Sequence, residues 1–256
     1  MSLDALIARL SEDSAADLAG LIAGVTEADA LKVQLAVKHR QAERGDPIVG
    51  HQASLTSTGS RQAFPDGPDP LVGTFLASML RPSGCVLPAG GPRLLAELEV
   101  AVLLRGSLEG PEVTEADATA AIEAYAPAIE LVALMGGLAG TTPHWPEAIA
   151  RQKLGGYVVV GAPVPAARFD PAAEVCRLSF DGAAAGEGAV SGLTRTPAGV
   201  VAAIARQLAE AGGSLRAGET VITGSVTPPA AVRPGVRRIA GAFTILGAVE
   251  AEIAAG

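Results

Sequence analysis

The sequence of 256 residues is short of several things that usually announce a function. It has two cysteines, Cys85 and Cys176, too few for a disulfide framework or a thiolate metal site, so both read as reduced thiols of a cytoplasmic protein. Its three histidines, His39, His51 and His144, show no metal-ligand spacing, which counts against zinc. Lysine and arginine number 19 against 27 acidic residues, and no basic cluster stands out. That balance argues against nucleic acid or an anionic membrane surface as partner. No apolar run reaches the length of a membrane span, and the N-terminus lacks the charged-then-apolar profile of a signal peptide. What is present is a composition 49% hydrophobic and 18% charged, which makes a folded chain with a sizeable core the expectation.

Leucines and alanines recur at three- and four-residue spacing over residues 3–44, the pattern of helices. Thr26 with Asp29 resembles a capping box ahead of a second helix running to about Arg44, and Gly45-Asp46-Pro47 ends it. A short strand follows in "PIVGHQASLTS", then a loop, "AFPDGPDPLVG". From about Cys85 the pattern changes to short strands between Gly/Pro turns, among them "LAELEVAVLLRG", "YAPAIELVALM", "EVCRLSFDG", "ETVITGSVT" and "AFTILGAVEAEI". Two helices interrupt them, one over 114–124 capped by Thr114 with Asp117, and one over 196–213 with proline in its first turn and glycines at its end. Many strands, few helices and no regular alternation predict an α+β fold with a curved mixed sheet, a roll, and an N-terminal helical segment. Residues 1–80 are expected to pack as a helical segment and loop on a core of residues 81–256.

One strand carries an oddity. In "LAELEVAVLL", Leu98, Val100 and Val102 share one face, while Glu97, Glu99, Ala101 and Leu103 share the other. A Glu-x-Glu on a strand ordinarily marks a solvated face. Here that face is otherwise apolar, and paired carboxylates facing a core repel each other and lose solvation, so they need a cation. A third carboxylate, Glu130, sits inside the apolar strand "YAPAIELVALM", where a salt-bridged core glutamate is the plainer alternative. Three carboxylates on two strands suit Mg²⁺ or Mn²⁺, hard cations that take oxygen ligands and leave positions to water or substrate.

These segments, with "LRAGETVITGSVTPPAAVRPG", resemble the fumarylacetoacetate hydrolase superfamily, and within it the branch of 2-oxopent-4-enoate hydratases and 4-oxalocrotonate decarboxylases. The resemblance runs in order from about Gly45 to the C-terminus, and the N-terminal helices are similar as well. It implies a fumarylacetoacetate-hydrolase-like roll, Mg²⁺ held by Glu97, Glu99 and Glu130, and a substrate pocket lined by Thr223, Gly224 and Ser225. It also implies a small 2-oxo carboxylic acid as substrate and a homo-oligomer, with association to a homologous hydratase or decarboxylase as a further expectation.

The departures from that pattern are specific. Where the family has a lysine, "GHQASLTS" carries Gln52; its aspartate falls on Leu71, with Asp69 two residues earlier as a shifted substitute; an Asp-Asn pair becomes Arg151 and Gln152. General acid/base work needs a titratable group, and glutamine supplies none. His51, Asp69 and Lys153 are therefore the replacement candidates beside Gln52, while Arg151 and Lys153 suit a substrate carboxylate. His51 has the most suitable ordinary pKa but, as strand neighbour of Gln52, is expected to face the opposite way. Four readings follow from the resemblance. They are a Mg²⁺-dependent hydratase of 2-hydroxy-dienoates or 2-oxo-enoates, the sister decarboxylase, a metal-bound but silent subunit, and a carbon–carbon bond hydrolase.

Overall fold

The computed structural model describes residues 2–14, 16–18, 20–88, 94–133, 144–152 and 156–255. The described residues form helices α1 (Leu3–Glu12), α2 (Glu27–Glu43), α3 (Thr58–Ala63), α4 (Glu115–Ala121), α5 (Trp145–Arg151) and α6 (Pro197–Glu210). A nine-stranded sheet has the order β2 (Leu71–Leu76), β1 (Ile48–Ser54), β11 (Thr220–Ile222), β5 (Leu94–Leu104), β6 (Ile122–Ala133), β7 (Gly156–Val160), β3 (Leu80–Pro82). Off this path β12 (Ala230–Ala231) pairs with β5 and β8 (Val164–Pro165) with β6. A second, five-stranded sheet runs β10 (Ala183–Ala189), β9 (Val175–Phe180), β13 (Arg238–Phe243), β14 (Gly247–Ile253), β4 (Cys85–Leu87). Parallel pairs (β1–β11, β3–β7, β14–β4) mix with antiparallel ones, so the α+β fold with a mixed sheet expected from the sequence is the fold observed.

Local chemistry sets the helix starts. Thr26 accepts from the backbone N–H of Asp29 at the head of α2, Thr114 and Asp117 close a full capping box on α4, and Thr196 accepts from Gly199 before α6. The chain differs from the sequence reading in several places. The expected helix over 114–124 ends at Ala121, where β6 begins directly, and "AFTILGAVEAEI" is the end of β13, a turn and β14 rather than one strand. Its turn is closed by Gly247 at φ +87°, a conformation glycine adopts without penalty. Leu71–Leu76, partly assigned to a loop, is a fully buried edge strand, and α3 and α5 form where no helix is expected. β1 and β2 are strands of the same sheet as β5 and β6, so residues 48–76 are continuous with it.

Two faces of the large sheet are packed differently. Leu98, Val100 and Val102 join Ile129 and Leu131 in the main core, pressed against the five-stranded sheet so closely that a Cβ on Gly241 would lie 2.5 Å from Leu98 Cδ2. The opposite face carries a smaller cluster of Phe75, Ala101, Ala126, Ala128, Val158 and Ile222. Leu6 and Leu10 of α1 are buried in the chain's own core, so the apolar stripe of this helix is committed internally. Both cysteines are free thiols, and no helix among the described residues is long and apolar enough to cross a membrane.

The parallel β1–β11 pair brings the N-terminal strands to the centre of the sheet, and it depends on close approach at Gly50. A Cβ there would lie 1.9 Å from the Thr220 carbonyl oxygen and 2.5 Å from the Phe75 ring, with backbone as the obstacle. Gly50→Ala is expected to destabilise the chain by about 2 kcal/mol or more, the scale of an overpacked core. Urea unfolding checks this through a lowered midpoint; an unchanged midpoint would show that β1 and β11 can separate freely.

Candidate metal centre

β5 and β6 pair antiparallel over their whole length, with Glu97 directly opposite Glu130. Opposed residues share a sheet face, and Glu99 lies two residues from Glu97, so the pairing sends all three carboxylates to one side. That is the face of Ala101, Ala126 and Ala128, which pack with Phe75, Val158 and Ile222 beside the carboxylates. One oxygen from each carboxylate lies within 4.8 Å of the others, and all three residues are buried, at 9%, 1% and 2% exposure for Glu97, Glu99 and Glu130.

The turn after β11 supplies donors. The Gly224 N–H donates to Glu99 Oε2 at 2.7 Å, and the Ser225 hydroxyl donates to Glu97 Oε2. The turn itself is fixed from below: Thr223 N–H and Oγ1 both donate to the Val100 carbonyl, and Thr56 Oγ1 donates to the Thr223 carbonyl at 2.8 Å. Gly224 has φ +97°, and a Cβ would lie 1.8 Å from Thr56 Oγ1, so glycine is required there on both counts.

These donors do not neutralise the cluster. Burial first, then the charges of Glu130 and Glu97, raise Glu99 well above the usual carboxylate range; burial raises Glu97 too. Glu130 is pushed up to about 8, by burial and then by the charge of Glu97. Raised in this way, the metal-free cluster favours protonated carboxyls. Glu130 Oε1 is buried and has no hydrogen-bond partner among the described residues. A hard divalent cation fits this donor set: it takes the place of protons, gives the orphaned oxygen a partner, and takes ligands that are all oxygen.

The other candidates are placed as follows. Gln52 is buried and close enough to Glu130 to draw its carboxyl pKa down, against the larger upward effect of burial and of Glu97. His51 points to the other side of β1, where Nδ1 meets Thr74 Oγ1 at 3.1 Å and Nε2 lies 3.7 Å from Glu219 Oε2. Burial, with the His39 charge, holds its imidazole down at about 3, so the contact with Glu219 is not an ion pair and no proton moves there near neutrality. Asp69 is paired through both oxygens with Arg195, which keeps its carboxyl below the ordinary range, toward solvent. Arg151 donates to Glu147 Oε1 at 2.8 Å and to the Ser14 and Ala16 carbonyls; it ties α5 to the N-terminal segment. Lys153 lies outside the described residues. Thr223, Gly224 and Ser225 stand against the carboxylates as described above. The sequence reading had no role for Gln152 or Gly73, yet both meet Gln52: Gln152 Nε2 lies 3.5 Å from Gln52 Oε1, and Gln52, Leu71, Gly73 and Gln152 line one small cavity. The signal available was that three of these four are positions where the chain departs from the pattern it resembles, or adjoin one.

A mixed, curled sheet that gathers three buried carboxylates on one face, an oxygen of each within 4.8 Å of the others, is a scaffold for a divalent cation. The chain belongs to the fumarylacetoacetate hydrolase family: the Fumarylacetoacetate (FAA) hydrolase C-terminal family model matches residues 33–254. It is 32% identical over 220 residues to a 4-oxalocrotonate decarboxylase of Pseudomonas sp, covering 83% of this chain and 81% of the relative. It is 29% identical over 212 residues to 2-hydroxyhexa-2,4-dienoate hydratase of Comamonas testosteroni, covering 80% and 78%. In fold it is similar to the 4-oxalocrotonate decarboxylase of Pseudomonas putida G7 solved with magnesium and adipate, at TM-score 0.87 and 24% identity over 99% of both chains.

Raised carboxyl pKa values make the metal-free protein sensitive to alkali. Glu130 is raised from 4.5 to about 8, so the folded state holds more protons than the unfolded one between those values, and stability falls as pH rises through about 8. His51, lowered from 6.5 to about 3, acts oppositely, but only below about 6.5. Between pH 6.5 and 8 the melting temperature in chelator is therefore expected to fall, and Mg²⁺ or Mn²⁺ is expected to flatten the slope. Calorimetric melts across that window check it; a rising melting temperature in chelator would contradict the charge state described.

Proposed function

We propose that the protein is a divalent-metal-dependent lyase of 2-oxo acids, of hydratase type, acting on a substrate of the 2-hydroxypenta-2,4-dienoate kind with Mg²⁺ or Mn²⁺. The observation that carries this reading is the buried trio Glu97, Glu99 and Glu130, with one oxygen of Glu130 unpartnered among the described residues. The name of the hydratase relative at 29% identity supports the reaction class.

In this reading the three glutamates hold the ion. Gly224 N–H and the Ser225 hydroxyl orient Glu99 and Glu97, and the 2-oxo carboxylate would chelate the ion at the positions the three glutamates leave open. A bound divalent ion supplies a Lewis acid for the 2-oxo group, an electron sink that hydration and decarboxylation share. Hydration adds the hydroxyl and proton of water across a carbon–carbon double bond conjugated with that group. It calls for a group that moves protons, and the Gln52 amide, close to Glu130, has none to give.

That same amide favours a second reading. Decarboxylation of a vinylogous 2-oxo diacid expels CO₂ and leaves its electron pair to the sink, with no base at the departing carbon. The relative at 32% identity carries the decarboxylase name. The two readings are equally compatible with the trio, and substrate decides between them.

The test is turnover with saturating Mg²⁺, following dienoate absorbance in one arm and CO₂ release from 2-oxohex-3-enedioate in the other. For the hydratase reading, dienoate loss should be slow, should vanish in Glu97→Ala/Glu99→Ala, and should rise about 10²-fold in Gln52→Lys, the scale of one positioned acid or base. CO₂ release without hydration selects the second reading. Turnover of both substrates unaffected by Glu97→Ala/Glu99→Ala would remove the site itself.

A further inference from the structure

We infer that Thr227 is a positioning residue for the carboxylate trio. Its hydroxyl takes the place of a strand carbonyl on the β5 edge, between Glu97 and Glu99, and so sets where the Gly224 N–H and the Ser225 hydroxyl stand. The inference rests on the reading of the trio as a divalent-metal site and adds the residue that seats its donors.

The edge of β5 that faces away from β6 is covered by two strands with a gap between them. β11 ends with Ile222 opposite Ala101, and β12 begins with Ala230 opposite Ala96. Four residues of β5, Glu97 to Val100, therefore face seven, Thr223 to Pro229. A surplus on one side of an antiparallel ladder has to leave it, as in a bulge. Thr223 N–H donates to the Val100 carbonyl at 3.1 Å and Val226 N–H to the Leu98 carbonyl at 2.8 Å. Between these two bonds Gly224 and Ser225 leave the ladder and reach Glu99 and Glu97.

The second of those bonds is not returned by backbone. In a hydrogen-bonded antiparallel pair two residues exchange both N–H to carbonyl bonds. The Leu98 N–H instead donates to Thr227 Oγ1 at 3.0 Å, and Thr227 is buried. The Val226 carbonyl is turned to β10, where a Cβ on Gly188 would lie 2.0 Å from its oxygen. Glycine is needed at 188 for that room, the strand position at which another backbone comes close. The Thr227 hydroxyl thus supplies the acceptor that the turned carbonyl withdraws. Pro228 and Pro229 follow without an N–H to offer, and the ladder resumes at Ala230.

Leu98 lies between two of the three carboxylates, so its N–H and carbonyl hold the turn in register with both. Without the hydroxyl, the Leu98 N–H becomes a buried unpaired donor. The turn is then free to shift on β5 and carry the Gly224 and Ser225 donors with it. Groups that orient metal ligands from outside ordinarily govern affinity by about 10–100-fold.

The test is Mn²⁺ titration by calorimetry on the metal-stripped full chain, well below its melting temperature in chelator. It compares wild type with Thr227→Val, Thr227→Ser and Leu208→Ala. Thr227→Val keeps the shape, loses the acceptor, and is expected to bind Mn²⁺ about tenfold more weakly. Should it fail to fold, Thr227→Ala takes its place. Thr227→Ser keeps the hydroxyl and should restore wild-type affinity. Leu208 is buried in the core on α6, so its truncation should lower the melting temperature and leave Mn²⁺ affinity unchanged. Wild-type affinity without the hydroxyl overturns the proposal and leaves the metal site standing. So does an equal loss in Thr227→Ser or in Leu208→Ala. A wild type that binds no Mn²⁺ removes the metal reading itself, a separate result.

Discussion

Three carboxylates crowded on the apolar face of a sheet constrain everything placed around them. Each would lose several kcal/mol of hydration if buried ionised and unpaired, whereas a hydrogen bond to a charged group returns about 1.5–3 kcal/mol. Glu99 has the Gly224 N–H and Glu97 the Ser225 hydroxyl, while Glu130 Oε1 has no partner among the described residues. These donors do not close that gap. The cluster must keep protons or take a cation, and the raised carboxyl pKa values are the metal-free answer. The need for donors also explains why the turn after β11 is held against the β5–β6 pair.

The period-two geometry of strands keeps this site separate from its surroundings. On β1, Gln52 turns to the carboxylates while His51 turns away to Thr74 and is held neutral by burial. On β5, Leu98, Val100 and Val102, facing away from the glutamates, form the packed seam against the second sheet. A slip of one residue in the β5–β6 pairing would bury the carboxylates in that seam and expose its leucines and valines, so the same pattern that builds the site fixes the register.

Much of this was legible before any coordinates. Glu97 and Glu99 at spacing two, amid valines and leucines, already demanded a counter-charge, and Thr26, Thr114 and the early proline of the 196–213 segment marked three helix starts. What escaped the sequence has physical causes. β2 is buried along its whole length and shows no alternation, next to a loop dense in proline and aspartate. The β13–β14 turn passes through Thr244, Ile245 and Leu246, apolar enough to read as strand, because Glu174 rather than the turn's own residues caps the Ile245 and Leu246 N–H groups. Arg151 is adjacent in sequence to Gln152, which meets Gln52, yet belongs to a different contact, since the helix end at Gln152 sends successive side chains in different directions. Pair contacts of this kind, between residues 100 apart such as Gln52 and Gln152, leave no mark in periodicity.

The neutrality of Gln52 changes how charge is balanced at the site. Three ionised glutamates carry −3, and a divalent ion leaves −1. An ammonium group at position 52, where the resemblance places a lysine, would add a fixed positive charge beside Glu130. It would stabilise the ionised carboxylates without any metal, and it would repel the incoming cation at close range. With an amide there, neither effect operates. The carboxylates depend on the ion more fully, and the ion meets no ammonium competitor from position 52. The substitution that removes a proton carrier therefore also makes the cation the main source of positive charge among the described groups at the trio. The neutral donors that do meet the trio, the Gly224 N–H and the Ser225 hydroxyl, therefore orient the carboxylates without supplying charge, and the turn that carries them is itself pinned by Thr223 and Thr56.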